Sequence, residues 1–277
     1  MREGRPACDD SKMPSVQTEA GPAVQPGAEP FYSEGGAVGV LLCHGFTGSP
    51  RTLRPWGEYL AAAGLTVALP RLPGHGTTWQ DGNRTGWTDW YDEVSRAFDA
   101  LHQRCSRVFV LGLSAGACLA LRVAETRGAA VNGLVLVNPS LAPDTRLFLF
   151  APVLKLVVPS LPGISDDIKK PDATEGGYKR VPVRAAATLP AMWKTTATDL
   201  GKVTAPMLVY RSTVDHVVGP TSMKVLTRAF PWVEVRPCPD SYHVATLDND
   251  AQEIFAGSLE FIRAHSGDPV RDIDTGV

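Results

Sequence analysis

The chain has 277 residues, 44% of them hydrophobic and 20% charged, which is enough apolar material for the core of one large domain or two small ones. Its net charge of −2, with no run of lysine or arginine, argues against nucleic acid or an anionic membrane as the main partner. The five cysteines (Cys8, Cys43, Cys105, Cys118 and Cys238) are scattered without C-x-x-C spacing, so neither a metal site nor a disulfide framework is suggested.

Residues 1–30 carry few large apolar side chains and are interrupted by Pro6, Pro14, Pro22, Pro26 and Pro30, so a disordered leader is expected. The absence of an apolar h-region near the start points to a reducing cytoplasm. A globular domain is expected over 31–266, followed by a flexible polar tail at 267–277. Within the domain, strand signals at 38–43, 65–69, 108–111, 134–137, 207–210 and 233–236 alternate with helical patterns. That rhythm implies a parallel sheet covered on both faces. Trp87, Trp90, Tyr91, Val94, Phe98 and Leu101 recur at three- and four-residue steps and form one helix face. Ile254, Phe255, Ser258, Leu259 and Ile262 do the same, with Asp248 and Asp250 set to favour the helix start.

Between about 140 and 200 the alternation lapses for a span too long to be a structureless loop. A cap is expected there, inserted over the C-terminal ends of the strands, where open α/β sheets bind ligands. Its apolar stretch 147–164 is expected to line an acyl pocket.

The segment Gly-Leu-Ser-Ala-Gly at 112–116 follows a β-branched and aromatic run and precedes a helical one. A strand–turn–helix with G-x-S-x-G lifts a serine hydroxyl clear of the backbone, where a histidine can activate it. Ser114 is therefore the expected nucleophile, with Gly112 and Gly116 relieving crowding between strand and helix. Among the six histidines, His243 follows the last strand and precedes the last helix, the position of the base in the order Ser…Asp/Glu…His. Asp215, in the turn after the strand at 207–210, is the expected acid, and Asp240, three residues before His243, is the rival. Two backbone N–H groups are needed for a developing oxyanion. That of Ala115 follows the nucleophile, and that of Phe46 comes from Cys-His-Gly-Phe-Thr-Gly at 43–48.

With Leu-Pro-Arg-Leu-Pro-Gly-His-Gly-Thr (69–77) and Asp-Ser-Tyr-His-Val-Ala-Thr-Leu-Asp (240–248), these motifs resemble the α/β-hydrolase superfamily. More closely, they are similar to bacterial monoacylglycerol lipases and small thermostable carboxylesterases of bacilli, from about residue 39 to 264. The resemblance implies an α/β-hydrolase fold: a mostly parallel central sheet flanked by helices, with a small inserted cap. It also implies Ser114, Asp215 and His243 as the triad and Phe46 and Ala115 as the oxyanion donors. Ile164 and Glu175 of the cap, by the same resemblance, shape the pocket for the alcohol half of a monoglyceride. No cofactor is implied. Ala115 stands where the family often carries a bulkier residue, which leaves the pocket wall short of side-chain volume. The expected substrate is a single-chain acyl ester or lipid, most plainly a monoacylglycerol. The alternatives are a general short-chain carboxylesterase, an acyltransferase or a non-catalytic homologue. An apolar cap also offers transient contact with a membrane.

Overall fold

The computed structural model describes residues 22–144, 151–163 and 165–267. Its first half runs β1 (Phe31–Ser33), β2 (Val38–Cys43), α1 (Arg54–Ala62), β3 (Thr66–Leu69), α2 (Trp79–Gly82), α3 (Trp87–Arg104), β4 (Arg107–Leu113), α4 (Ala115–Arg127) and β5 (Gly133–Val137). The next stretch holds α5 (Ala151–Val157), β6 (Ser160–Pro162), β7 (Arg180–Pro182), α6 (Val183–Ala186) and α7 (Leu189–Asp199). The chain then completes the sheet with β8 (Met207–Ser212), α8 (Pro220–Ala229), β9 (Glu234–Cys238) and α9 (Ala251–Ser266).

Seven strands form one sheet in the order β1-β3-β2-β4-β5-β8-β9, parallel throughout except for β1. Strand alternation divides the core in two. Along β2, Leu41 and Cys43 face the layer built on α3, α4 and α7, whereas Val38, Val40 and Leu42 face α1 and α9. The first layer receives Trp90, Val94, Phe98 and Leu101 of α3, and the second receives Trp56, Phe255, Leu259 and Ile262. A fully buried side chain such as Phe98 or Leu42 contributes about 1.5–3 kcal/mol relative to exposure. Helix α4 lies inside the protein, buried at nearly every position, and its Glu125 is held there by Arg122, which also reaches Asp199 of α7. Burial raises the Glu125 carboxyl to about 7, against the opposing pull of Arg122.

The parallel register brings the strand ends to one edge. Cys43 pairs with Gly112, Leu113 with Val137, Val137 with Tyr210, and Ser212 with Cys238. The residues immediately past these ends therefore share one rim of the sheet, where the segment between β5 and β8 encloses a cavity.

Some expectations differ from what is found. Residues 22–30, read as disordered, lie against the body: Gln25 N–H donates to Gly76 O at 2.8 Å, its side chain donates to Thr77 O, and Ala28 is buried. Residues 1–21 and 268–277 lie outside the described residues. The apolar stretch 147–164 falls partly outside them as well. Of its described residues, Leu156 and Val157 are 76% and 73% exposed, whereas Pro162 and Gly163 line the cavity. The apolar wall continues through Val181, Ala186, Leu189 and Trp193, and α7 packs on α4. The β1 strand and the β6–β7 ladder were not legible, because three-residue strands flanked by proline show no period.

Candidate active site

Ser114 is the one residue between β4 and α4, and it has φ 57° and ψ −120°, a conformation L-residues rarely adopt. Neighbouring bonds hold it there: its N–H donates to Val137 O at 2.9 Å, and its carbonyl accepts from Ser140 N at 3.1 Å. The turn is tight enough that both flanking glycines are obligatory. A Cβ on Gly116 would lie 2.0 Å from Cys43 O, and one on Gly112 would lie 2.5 Å from Gly116 O. Because the clash is with backbone, Gly116→Ala should cost at least about 2 kcal/mol of stability. An unfolding midpoint in urea equal to that of the wild type would refute this packing argument.

Asp215 and His243 meet on the same cavity, of about 610 Å³, which Ser114 lines with them. The His243 Nδ1–H donates to Asp215 Oδ2 at 3.0 Å, which leaves Nε2 as the free ring nitrogen. Arg211 Nη1 donates to the same Oδ2 at 2.7 Å, and Oδ1 accepts from Val217 N and Val218 N at 2.9 and 2.8 Å. Burial acts to raise the Asp215 carboxyl, but the His243 bond, the Val218 amide and Arg211 together hold it below the usual carboxylate range. Asp240, the rival, is turned away. Its side chain is 59% exposed and pairs with Lys169 at the surface.

Ala115 opens α4, so its N–H has no acceptor within the helix and lies at the positive end of the helix dipole. Phe46 also lines the cavity, from the loop after β2. That loop is set by His44, whose Nδ1–H donates to its neighbour Gly45 O at 3.0 Å while Nε2 accepts from Leu72 N at 3.1 Å. One nitrogen donates and the other accepts, so the ring is neutral. Burial, reinforced by His75, pushes its pKa down to about 3. Phe46 in turn packs on Trp90 and His75. Cys43 is fully buried at the strand end and its thiol is pushed far up by burial, which leaves it as a small packing residue.

Glu175 reaches the cavity wall, 9% exposed. Its Oε1 accepts from Asp166 N at 3.1 Å, while its own N–H donates to Asp166 Oδ1 at 2.7 Å. Burial pushes this carboxyl up, opposed by the Asp166 amide and by the nearby His243. Ile164 lies outside the described residues.

The family described as serine aminopeptidase, S33, a family of α/β-hydrolases, matches residues 37–250. The chain belongs to that family. Over 244 residues the hydrolase is 40% identical to a thermostable monoacylglycerol lipase of Bacillus sp. (strain H-257), covering 87% of this chain and 96% of the relative. It is 24% identical to a carboxylesterase of Bacillus subtilis (strain 168), over 84% and 96% of the two chains. A solved structure of the metagenome-derived lipolytic enzymes LipS and LipT superposes with a TM-score of 0.84 at 38% identity, covering 88% of this chain and all of the other. The mostly parallel sheet flanked by helices is thus the α/β-hydrolase fold.

Three residues of the hydrolase organise the site without having been read from sequence in that role. Asn138, fully buried with φ 45°, donates to the His243 carbonyl at 2.8 Å and to Ser212 Oγ at 2.9 Å, tying the β5 end to both loops. Asp167 accepts from the backbone N–H of His243 at 3.2 Å and from His216. Asp248 does not cap α9. Its carboxylate accepts from the backbone N–H groups of Lys169, Lys170, Tyr242 and Asn249, which pins the 165–170 loop to the loop carrying His243. Tyr178 makes a similar cross-link, donating to Gly74 O and accepting from Thr77 N. Of these, only Asp248 falls in a motif read from the sequence, because each acts through groups distant along the chain.

Proposed function

We propose that the protein is a serine ester hydrolase acting on single-chain acyl esters, with monoacylglycerols as the substrate class, and that residues 140–200 act as its cap. The observation that carries this reading is a serine on a strained strand–helix turn sharing one cavity with a histidine whose Nδ1 is bound to a buried carboxylate. Ser114 Oγ attacks the ester carbonyl carbon while His243 Nε2 takes its proton. The negative charge on the former carbonyl oxygen is met by the N–H groups of Ala115 and Phe46. Collapse of the tetrahedral intermediate breaks the bond to the alcohol, which leaves with the proton from His243. Water then attacks the acyl-enzyme by the same route and releases the fatty acid.

The apolar wall of Val181, Leu189 and Trp193 suits an alkyl chain, and the Glu175 carboxylate suits the hydroxyls of the leaving glycerol. The names of the relatives, a monoacylglycerol lipase and a carboxylesterase, support an ester rather than the amide implied by the family description.

The test compares kcat/KM for a series of monoacylglycerols with p-nitrophenyl esters of the same acyl chains, and with a p-nitroanilide. A preference for monoacylglycerols supports the reading. Best activity on short p-nitrophenyl esters would make the protein a general carboxylesterase, and best activity on the anilide would return it to the peptidases. In the same assay, Glu175→Gln should raise KM for the monoacylglycerol at least about threefold more than for the matched p-nitrophenyl ester, since a charged acceptor holds a hydroxyl more tightly than an amide. Equal changes on both substrates would remove Glu175 from alcohol recognition.

A further inference from the structure

A second imidazole stands beside the first, and the acyl-transfer steps make no use of it. The Nδ1–H of His216 donates to Asp167 Oδ1 at 2.7 Å, and its backbone N–H donates to Asp167 Oδ2 at 3.2 Å. The ring packs edge-on against Tyr242, with centroids 4.8 Å apart, and the side chain is 52% exposed where it lines the cavity. With Nδ1 committed to a carboxylate, Nε2 is the ring atom left for a ligand.

The residue before Asp167 holds Glu175. Asp166 donates its N–H to Glu175 Oε1 and accepts the Glu175 N–H, and it does so at φ 57°, in the left-handed region. Consecutive Cα atoms are about 3.8 Å apart. One sharp turn therefore holds Glu175 through one residue and His216 through the next, on the same cavity.

We propose that His216 is a specificity residue for the alcohol half of the substrate, accepting one free hydroxyl while Glu175 accepts another. The inference rests on the ester-hydrolase reading above and extends it. An alcohol with two free hydroxyls that gives up part of its hydration on entering the cavity is favoured where two acceptors replace it. Glu175 offers the oxygen that Asp166 does not hold. His216 offers Nε2, with its Nδ1 and ring plane held by Asp167. An alcohol with no free hydroxyl leaves both acceptors unmatched and is disfavoured.

Three esters sharing one acyl chain test this: a 1-monoacylglycerol with two free hydroxyls, the 1-ester of propane-1,2-diol with one, and the propyl ester with none. His216→Phe keeps the ring volume against Tyr242 and removes the acceptor. It should lower kcat/KM for the monoacylglycerol about tenfold more than for the propyl ester, with the diol ester between. His216→Gln, which keeps an acceptor, should discriminate less. An equal loss on all three esters, or no loss on any, overturns the proposal, since a merely structural role through Asp167 would not follow hydroxyl count. If His216→Phe does not fold, inhibition by free glycerol decides. Glycerol should inhibit propyl-ester hydrolysis by the wild type several-fold more strongly than it inhibits a His216→Ala variant, which lacks the acceptor, and equal inhibition overturns the proposal. Ser114→Ala separates the two levels. Full turnover by that variant removes the serine reading itself, whereas serine-dependent turnover with a flat His216→Phe response removes only the role given to His216.

Discussion

Ser114→Ala is expected to lower kcat on a monoacylglycerol by at least about 10³-fold while leaving the fold in place. The size follows from what the hydroxyl does: without Oγ no acyl-enzyme forms, and only binding and backbone donors remain to help water attack. Stability should change by less than about 1 kcal/mol, because the strained backbone at φ 57° is equally strained for alanine. The turn is also held by main-chain bonds to Val137 and Ser140 rather than by the hydroxyl. Urea unfolding and steady-state kinetics on the same preparation check both halves. Hydrolysis near the wild-type rate would remove Ser114 as the nucleophile, whereas loss of the folded state would show that the hydroxyl braces the turn.

Asp215→Asn is the second large effect, a fall in kcat of about 10⁴-fold. The buried carboxylate accepts from His243, Arg211, Val217 and Val218, and an amide cannot accept on both sides. An amide N–H turned toward His243 would demand the opposite tautomer, with the proton on Nε2, where the ring must be free to take one from Ser114. An amide N–H turned the other way would meet the Val217 and Val218 donors. Arg211, 18% exposed, would also lose its ionic partner, so the unfolding midpoint should fall as well. Asp240→Asn is the control. Its carboxylate sits at the surface against Lys169, a kind of pair worth about 0–1 kcal/mol, and activity should stay within about twofold. A larger loss at Asp240 than at Asp215 would reverse the choice of acid.

Much of this site was legible because its chemistry is local in sequence. The elbow at 112–116 needs two glycines and a serine at fixed spacing, and steric contact with Cys43 O and Gly116 O explains why nothing larger serves. Core strands read cleanly, since burial on both faces demands continuous β-branched and aliphatic runs. Less was readable in the segment between β5 and β8. There the ladder of β6 and β7 pairs residues about twenty apart, and the described apolar wall of the cavity comes mostly from Val181, Ala186, Leu189 and Trp193, with Pro162 and Gly163 from the described part of the more hydrophobic stretch before them. Hydropathy ranked that earlier stretch first, although Leu156 and Val157 face solvent.

Side-chain periodicity, turn chemistry and the order of strand and helix by themselves determined the parallel sheet and placed Ser114, Asp215 and His243 at the ends of its strands. Each of those properties depends on residues within a few positions of one another. Only the tertiary structure shows which carboxylate reaches His243 Nδ1, and Asp215 does so across 28 residues of chain. It alone also joined Asp167 to His216 over 49 residues and Asn138 to His243 over 105. Buried polar groups must find partners wherever the fold brings them together, and those meetings leave no spacing in the sequence to be read.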